Sequence, residues 1–232
     1  MEAIYFPDLE KNSNIVIIED TETKHIKALR LKPGNSVYIT NGKGLLAETH
    51  ILEFKNSTCR LEIKNIFESY NELSYSLGLA VGILDSRERF EYALEKAVEL
   101  GISDFYPLVS EFSQKKNVNL QRLNSKAIAA MKQSIRSKLT LIHKQVSILD
   151  LIGISYKYEK IIIADIEGEM PLMDKSYSSV LAVVGPEGGF STKEKDLLNR
   201  LDKCSLWNLG DRRLRAETAA VVLLGLIQKM NF

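Results

Sequence analysis

The rhythm of apolar and polar positions changes near residue 70. Before it, Asn14-Ile-Val-Ile-Ile18, Ser36-Val-Tyr-Ile-Thr40, residues 45–52 and residues 58–66 are short strand-like runs, separated by turns such as Asn41-Gly42. That pattern predicts the strands of a small barrel, with one short helix over residues 21–31. After it, strand-like and helix-like runs alternate. Residues 75–84 predict a buried strand. Asp85 and Glu88 have capping-box spacing, and Phe90, Leu94, Ala97 and Val98 then share one helical face that Gly101 ends. A strand is expected over 105–109 and a helix over 120–138, with Leu123, Ile128, Met131 and Ile135 inward. A further strand is expected over 160–166. Val180–Val184 and Cys204–Asn208 predict two more strands, each followed by a glycine-bearing turn and a helix, from Thr192 to about Leu201 and from Ala216 to about Met230. Alternation of this kind predicts an α/β fold with a mainly parallel sheet covered on both faces. The polar pair Asn71-Glu72 sets the expected boundary, with a β-rich domain over 1–70 and an α/β domain over 71–232.

Composition adds exclusions. With 232 residues, 45% hydrophobic and 26% charged, the chain has the make-up of a soluble protein with a proper core. Cys59 and Cys204 lie far apart, outside any metal spacing, and read as small buried hydrophobes in a reducing compartment. His25, His50 and His143 are scattered, so no metal is expected. No stretch reaches the length of a membrane span and the first residues lack the regions of a signal peptide, so a cytoplasmic protein is expected. The net charge of +1 hides an uneven distribution. Between Phe112 and Leu149 there is no Asp or Glu, yet the stretch carries Lys115, Lys116, Arg122, Lys126, Lys132, Arg136, Lys138 and Lys144. A single-sign stretch predicts a phosphate-tracking surface.

The candidate chemistry lies in two runs near the C-terminus. Gly185-Pro-Glu-Gly-Gly-Phe-Ser191 follows one predicted strand, and Leu209-Gly-Asp-Arg-Arg-Leu-Arg-Ala-Glu-Thr-Ala219 follows the next. Glycine lets backbone approach a ligand closely, and two such loops beyond strand ends predict one shared crevice. Neither a phosphate-binding loop with its lysine nor a dinucleotide fingerprint is present.

These two runs resemble the C-terminal signature of the ribosomal RNA small subunit methyltransferase E family. Lys96-Ala-Val-Glu-Leu-Gly-Ile102, Gln133-Ser134-x-Arg136, His25-x-x-x-Leu29-Arg30-Leu-Lys-x-Gly34 and Asn41-Gly-Lys-Gly44 resemble its other motifs, in the same order. Four positions depart from it: Phe112 for an arginine, Lys132 for a glutamate, Thr140 for a proline and Arg213 for an isoleucine. The resemblance implies a SPOUT-type knotted methyltransferase domain behind an N-terminal PUA-like β-barrel. It also implies S-adenosyl-L-methionine as cofactor and methylation of N3 of a uridine in 16S rRNA. Ala164, Gly185, Pro186, Glu187, Gly188, Gly189, Leu209, Gly210 and Leu214 are the expected cofactor contacts. Arg215 is the candidate cation for the uracil and Glu217 a weaker candidate base, with an ion pair between Arg215 and Glu187 or Glu217 as the structural alternative. Arg30, Lys32, Lys115, Lys116, Arg122, Lys132, Arg136 and Lys138 are the expected RNA contacts. The partner is 16S rRNA or the small ribosomal subunit. A homodimer is expected through Ala219, Val222, Leu223, Leu226 and Ile227. Ribose 2′-O methylation by another SPOUT enzyme, and a ribosome-assembly factor without catalysis, remain alternative readings.

Overall fold

The computed structural model describes residues 3–173, 175–201 and 203–231. The chain divides into two compact units, Met1–Glu72 with Ile128–Leu139, and Leu73–Ala127 with Thr140–Phe232.

The first unit holds β1 (Ala3–Tyr5), β2 (Ile15–Ile18), α1 (Asp20–Ala28), β3 (Ser36–Thr40), β4 (Leu45–Lys55) and β5 (Thr58–Glu68). Its sheet runs in the order β1-β3-β4-β5-β2. The β1–β3 pair is parallel and the other pairs are antiparallel. Strand alternation sorts the side chains. Val16 and Ile18 of β2, and Val37 and Ile39 of β3, join Ile4, Ile26, Ile51 and Leu61 in the core. The strand β1 was not expected, because three residues are too few to show a period. The helix α1 stops at Ala28 rather than residue 31. There Arg30 turns left-handed, at φ +59°, and its N–H donates to the Lys27 carbonyl at 2.9 Å.

The second unit holds β6 (Ser76–Gly82), α2 (Arg87–Glu99), β7 (Asp104–Val109) and α3 (Leu120–Gln133), the last belonging to the first unit from Ile128 onward. Then come β8 (Leu141–Ile142), β9 (Val146–Ser147), α4 (Ile148–Ile154), β10 (Lys160–Glu169), β11 (Ser179–Val184), α5 (Thr192–Asn199), β12 (Cys204–Trp207) and α6 (Ala216–Met230). The sheet order is β12-β10-β11-β6-β7-β8, with β9 also on β7, and every pairing is parallel. Central strands buried on both faces need apolar runs rather than alternation. Leu77 and Leu79–Val81 of β6, and Val180–Val184 of β11, are accordingly buried. From the edge strand β12 the chain returns across the sheet, where α6 packs against α2, β11 and β6.

Local details differ from the pattern. The cap of α2 is Ser86, whose Oγ accepts from the Arg89 N–H, so Asp85 lies one residue before the cap. The helix α3 ends at Gln133 because Ile135 takes φ +53°. Ile128 and Ile135 are half-buried, while Leu123 and Met131 are buried. On α6, Ala219, Leu223 and Ile227 are consumed by the core of this chain, and Val222 and Leu226 remain half-buried. Cys59 is buried and Cys204 half-buried, and burial pushes both thiols up to about 11. No described helix is long and apolar enough to cross a membrane.

Candidate functional site

Sheet register assembles the site. Ala164 of β10 pairs with Val184 on one side and with Trp207 on the other. Gly185 follows Val184 directly, and Asn208-Leu209-Gly210 follow Trp207, so the two glycine loops leave the sheet on either side of Ala164. Just beyond Ala164 the β10 ladder bulges, and contact with Trp207 resumes only at Glu169. The strands that carry the two loops flank β10, two spacings of about 4.8 Å apart, so both loops emerge together at the carboxyl ends of three parallel strands. Asn208 fixes the second loop: its side chain donates to the Ile166 carbonyl at 3.0 Å and accepts from the Gly210 N–H at 2.9 Å.

The first loop is a tight turn, with the Gly189 N–H donating to the Pro186 carbonyl at 2.9 Å. Gly189 has φ +72° with open space where a Cβ would stand, so its glycine is a backbone requirement. Gly188 differs. A Cβ there would meet the Phe112 Cβ at 2.8 Å, so a neighbouring aromatic keeps this position small. The loop ends in a capping box in which Ser191 Oγ accepts from the Glu194 N–H and Glu194 Oε2 accepts from the Ser191 N–H. Glu194 Oε1 also accepts from the Glu111 N–H at 2.9 Å, tying in the loop after β7.

The charged groups are arranged otherwise than expected. Arg89, in the first turn of α2, grips Glu217 with two nitrogens at 2.8 Å each and reaches Glu187 Oε1 at 3.2 Å. Glu187 Oε1 also accepts from the Asp85 N–H at 3.3 Å. Glu217 is buried, and the Arg89 hydrogen bonds hold its carboxyl below the usual range. A carboxylate so held is a weaker proton acceptor than a free one, and its hydrogen bonds commit Glu217 to Arg89. Arg213 is exposed and donates to the Glu187 carbonyl at 3.2 Å, joining the second loop to the first. Arg215 caps α6 with extended backbone, and its exposed guanidinium makes no side-chain hydrogen bond or ion pair among the described residues. Leu209 and Leu214 are half-buried and Gly210, at φ +123°, is exposed. Sequence reasoning missed Arg89. Its partners lie 98 and 128 residues away, and only the fold brings them together.

The expected RNA contacts separate. Lys132 is 9% exposed with Nζ on both oxygens of Glu22, and Arg136 is 2% exposed against Glu72. Buried and paired, these two leave the expected phosphate surface. Their carboxylate partners come from distant parts of the chain, which a local charge count overlooks. Arg30, Lys32, Lys116 and Lys138 are exposed and make no side-chain ion pair among the described residues. Lys115 lies at 3.4 Å from Asp85, and Arg122 pairs with Glu91, both at the surface of the second unit. Among the described residues no three His, Cys, Asp or Glu side chains cluster as metal ligands.

Comparison with known proteins bears on both units. Residues 71–228 match an RNA methyltransferase domain family, and residues 18–64 match an RNA methyltransferase PUA domain. Ribosomal RNA small subunit methyltransferase E of Rickettsia conorii is 30% identical, the alignment covering 96% of this chain and 93% of that protein. The structure of the enzyme of the same name from Neisseria gonorrhoeae, bound to S-adenosyl methionine, has TM-score 0.86 at 23% identity, over 99% of this chain and 97% of that one. A probable rRNA-methyltransferase from Porphyromonas gingivalis has TM-score 0.82 at 26% identity, over 100% and 98%. With its PUA-like first unit, its parallel-sheet second unit and motifs matched along nearly its whole length, the chain belongs to the ribosomal RNA small subunit methyltransferase E family.

Proposed function

We propose that the protein is an S-adenosyl-L-methionine-dependent methyltransferase acting on N3 of a uridine in 16S rRNA. The observation that carries this reading is the register of β10, β11 and β12, which gathers both glycine loops around Ala164. The crevice suits this cofactor. Main-chain groups of the two loops are close at hand, and the backbone at Gly189 and Gly210 faces open space rather than side chains. Ala164, Gly185, Pro186, Gly188, Leu209 and Leu214 complete the proposed lining. Glu187 acts on the loops through Arg89 and Arg213.

The cofactor supplies an activated methyl group, so the protein's main contribution is positioning. The acceptor nitrogen carries a proton on the pairing edge of the base, so the uridine must be unpaired and turned out. Loss of that proton places negative charge on the uracil. Arg215 is the proposed catalytic cation: Arg89 takes the hydrogen bonds of both nearby carboxylates, and the exposed Arg215 guanidinium acts on Glu217 only through its charge. Its stabilisation grows as the charge develops, which is what accelerates a reaction.

Residues 1–70 are proposed as the RNA-docking domain and 71–232 as the methyltransferase domain. The return from edge strand β12 to α6 supports a trefoil crossing around the crevice. A homodimer is supported by half-buried Val222 and Leu226 on α6 and by Ile166, in the β10 bulge, with Met170 and Leu172 beyond it, which are 77%, 86% and 76% exposed. We place the protein in the cytoplasm, where ribosomal RNA is modified. The test is transfer to 16S rRNA or isolated small subunits, with nucleoside mass spectrometry of the product. One 3-methyluridine per RNA is expected. A ribose-methylated nucleoside, or none, overturns the assignment.

A further inference from the structure

A cleft of about 450 Å³ opens in the second unit between the start of α2 and the segment leading into α3. It is separate from the crevice around Ala164, yet its edge is connected to the first glycine loop. Lys115, on its wall, lies at 3.4 Å from Asp85, whose N–H donates to Glu187. The volume falls in the roughly 300–1,000 Å³ range of small-ligand sites.

The lining has three kinds of group. Ile83, Leu84, Phe90 and Leu123 supply an apolar floor, each no more than 3% exposed. Arg87, Lys115 and Arg122 supply cations whose side chains are 67%, 55% and 46% exposed. Each of them also meets a carboxylate, Arg87 and Arg122 meeting Glu91 and Lys115 meeting Asp85, so the rim offers a phosphate the exposed donors that these pairs leave over. Asn117 and Asn119 supply amides. Their oxygens accept from Gln145 and from the Arg122 N–H, while neither NH₂ group donates to a partner among the described residues. Apolar floor, unused amide donors and cationic rim correspond to the three parts of a nucleotide: the flat base, its polar edge and its phosphate.

We infer that this cleft holds one unpaired nucleotide of the substrate RNA, next to the uridine presented at the glycine loops. The inference rests on the reading of the protein as an RNA methyltransferase, and it names the substrate there as single-stranded over at least two positions. The cleft would fix the RNA strand so that its neighbour reaches the cofactor crevice.

Fluorescence anisotropy with a labelled single-stranded 16S rRNA fragment, at saturating S-adenosylmethionine, tests it in three proteins. Val118 also lines the cleft, and Val118→Trp fills it without changing charge. The double variant Asn117→Asp, Asn119→Asp keeps both accepting oxygens but removes the amide donors and adds negative charge. Each is expected to weaken RNA binding about tenfold or more, the scale of losing one stacked base, with cofactor affinity and melting temperature unchanged. Normal RNA affinity in Val118→Trp overturns the inference, and so does a loss confined to the acidic variant. Should Val118→Trp melt early, photocrosslinking of 4-thiouridine RNA to the unmodified protein decides. Crosslinks within 83–91 or 115–123 support the cleft, and crosslinks only elsewhere overturn it. If the unmodified protein binds the fragment but methylates no rRNA, the reaction assignment falls and the cleft stands. If it binds no RNA, both fall.

Discussion

Arg122 and Arg136 lie in the same acid-free stretch, and each holds a nearly buried glutamate with two nitrogens. Arg122 meets Glu91 through Nε and Nη2, and Arg136 meets Glu72 through Nε at 3.3 Å and Nη2 at 2.7 Å. The Arg122 side chain is nevertheless 46% exposed and that of Arg136 only 3%. The same pairing therefore has two meanings. At the surface an arginine keeps donors that a phosphate can take, whereas inside the first unit the guanidinium is part of the core. Charge along a chain predicts a binding face only after the carboxylates brought in from elsewhere are subtracted.

The largest effect should separate the two. Arg136→Ala leaves Glu72 charged, 6% exposed and still accepting from the Ser137 and Lys138 N–H groups. Stranding a buried charge costs about 3–5 kcal/mol. Denaturant unfolding should show that loss, with RNA affinity unchanged at temperatures where the variant is folded. Arg122→Ala should do the reverse, losing less stability because Arg87 lies at 3.6 Å from Glu91, and weakening RNA binding. A shallow stability loss in Arg136→Ala would collapse the distinction.

Arg89 and Arg215 repeat the contrast near the glycine loops, one arginine hydrogen-bonded to two carboxylates and the other with no side-chain hydrogen bond or close ion pair among the described residues. Arg215→Ala is expected to slow single-turnover transfer about a hundredfold, the scale of removing one donor to a developing anion, at normal melting temperature and cofactor affinity. Arg89→Ala should first lower stability and cofactor affinity, because it frees Glu187 and Glu217 together. Its kcat loss should be partly recovered by Arg89→Lys if charge suffices, and little recovered if the planar fork is needed. Near-normal turnover in a stable Arg215→Ala protein removes that residue from the mechanism.

These pairs mark how far the sequence could be read. The rhythm of the chain reveals the sheet-forming runs of both units, because buried parallel strands are long apolar stretches and half-buried strands alternate. The two-residue strands β8 and β9 leave no period to detect. The glycine loops are legible because Gly189 and Gly210 answer local backbone demands, at φ +72° and +123°. Arg89 with its two carboxylates, and Lys132 with Glu22, are illegible for the opposite reason. Each joins residues that only the tertiary fold makes neighbours, and nothing local favours one partner over another.

A smaller effect tests why the first loop is glycine-rich. Gly189→Ala should cost about 1–2 kcal/mol of left-handed strain, read by denaturant unfolding, and should weaken cofactor binding to the extent that the loop relaxes out of its turn. Gly188→Val should also weaken binding, but through Phe112. If so, Gly188→Val combined with Phe112→Ala should regain most of the affinity, since the obstructing Cβ contact at 2.8 Å is relieved once the ring is gone. No recovery in the double variant would place the valine against the cofactor itself.

The smallest effect is acid sensitivity, and it returns to Arg122. Hydrogen bonds from Arg122 hold Glu91 below its ordinary 4.5, despite burial that pulls the other way. Around pH 4.5 the unfolded chain begins to take up protons that folded Glu91 still refuses. Its contribution to stability is therefore complete well above pH 4.5 and is lost as pH falls toward the folded value. Arg122→Gln removes the main cause of the depression. Stability measured by denaturant between about pH 3 and pH 6 should then fall less steeply with acid than in the unmodified protein, and the two curves should draw together at the acid end. Glu217, held down by Arg89, should behave in the same way in Arg89→Gln. Parallel curves across the whole range would mean that the surface pair contributes nothing that protonation can remove. Arg122 would then be free to serve a phosphate at no cost to the fold.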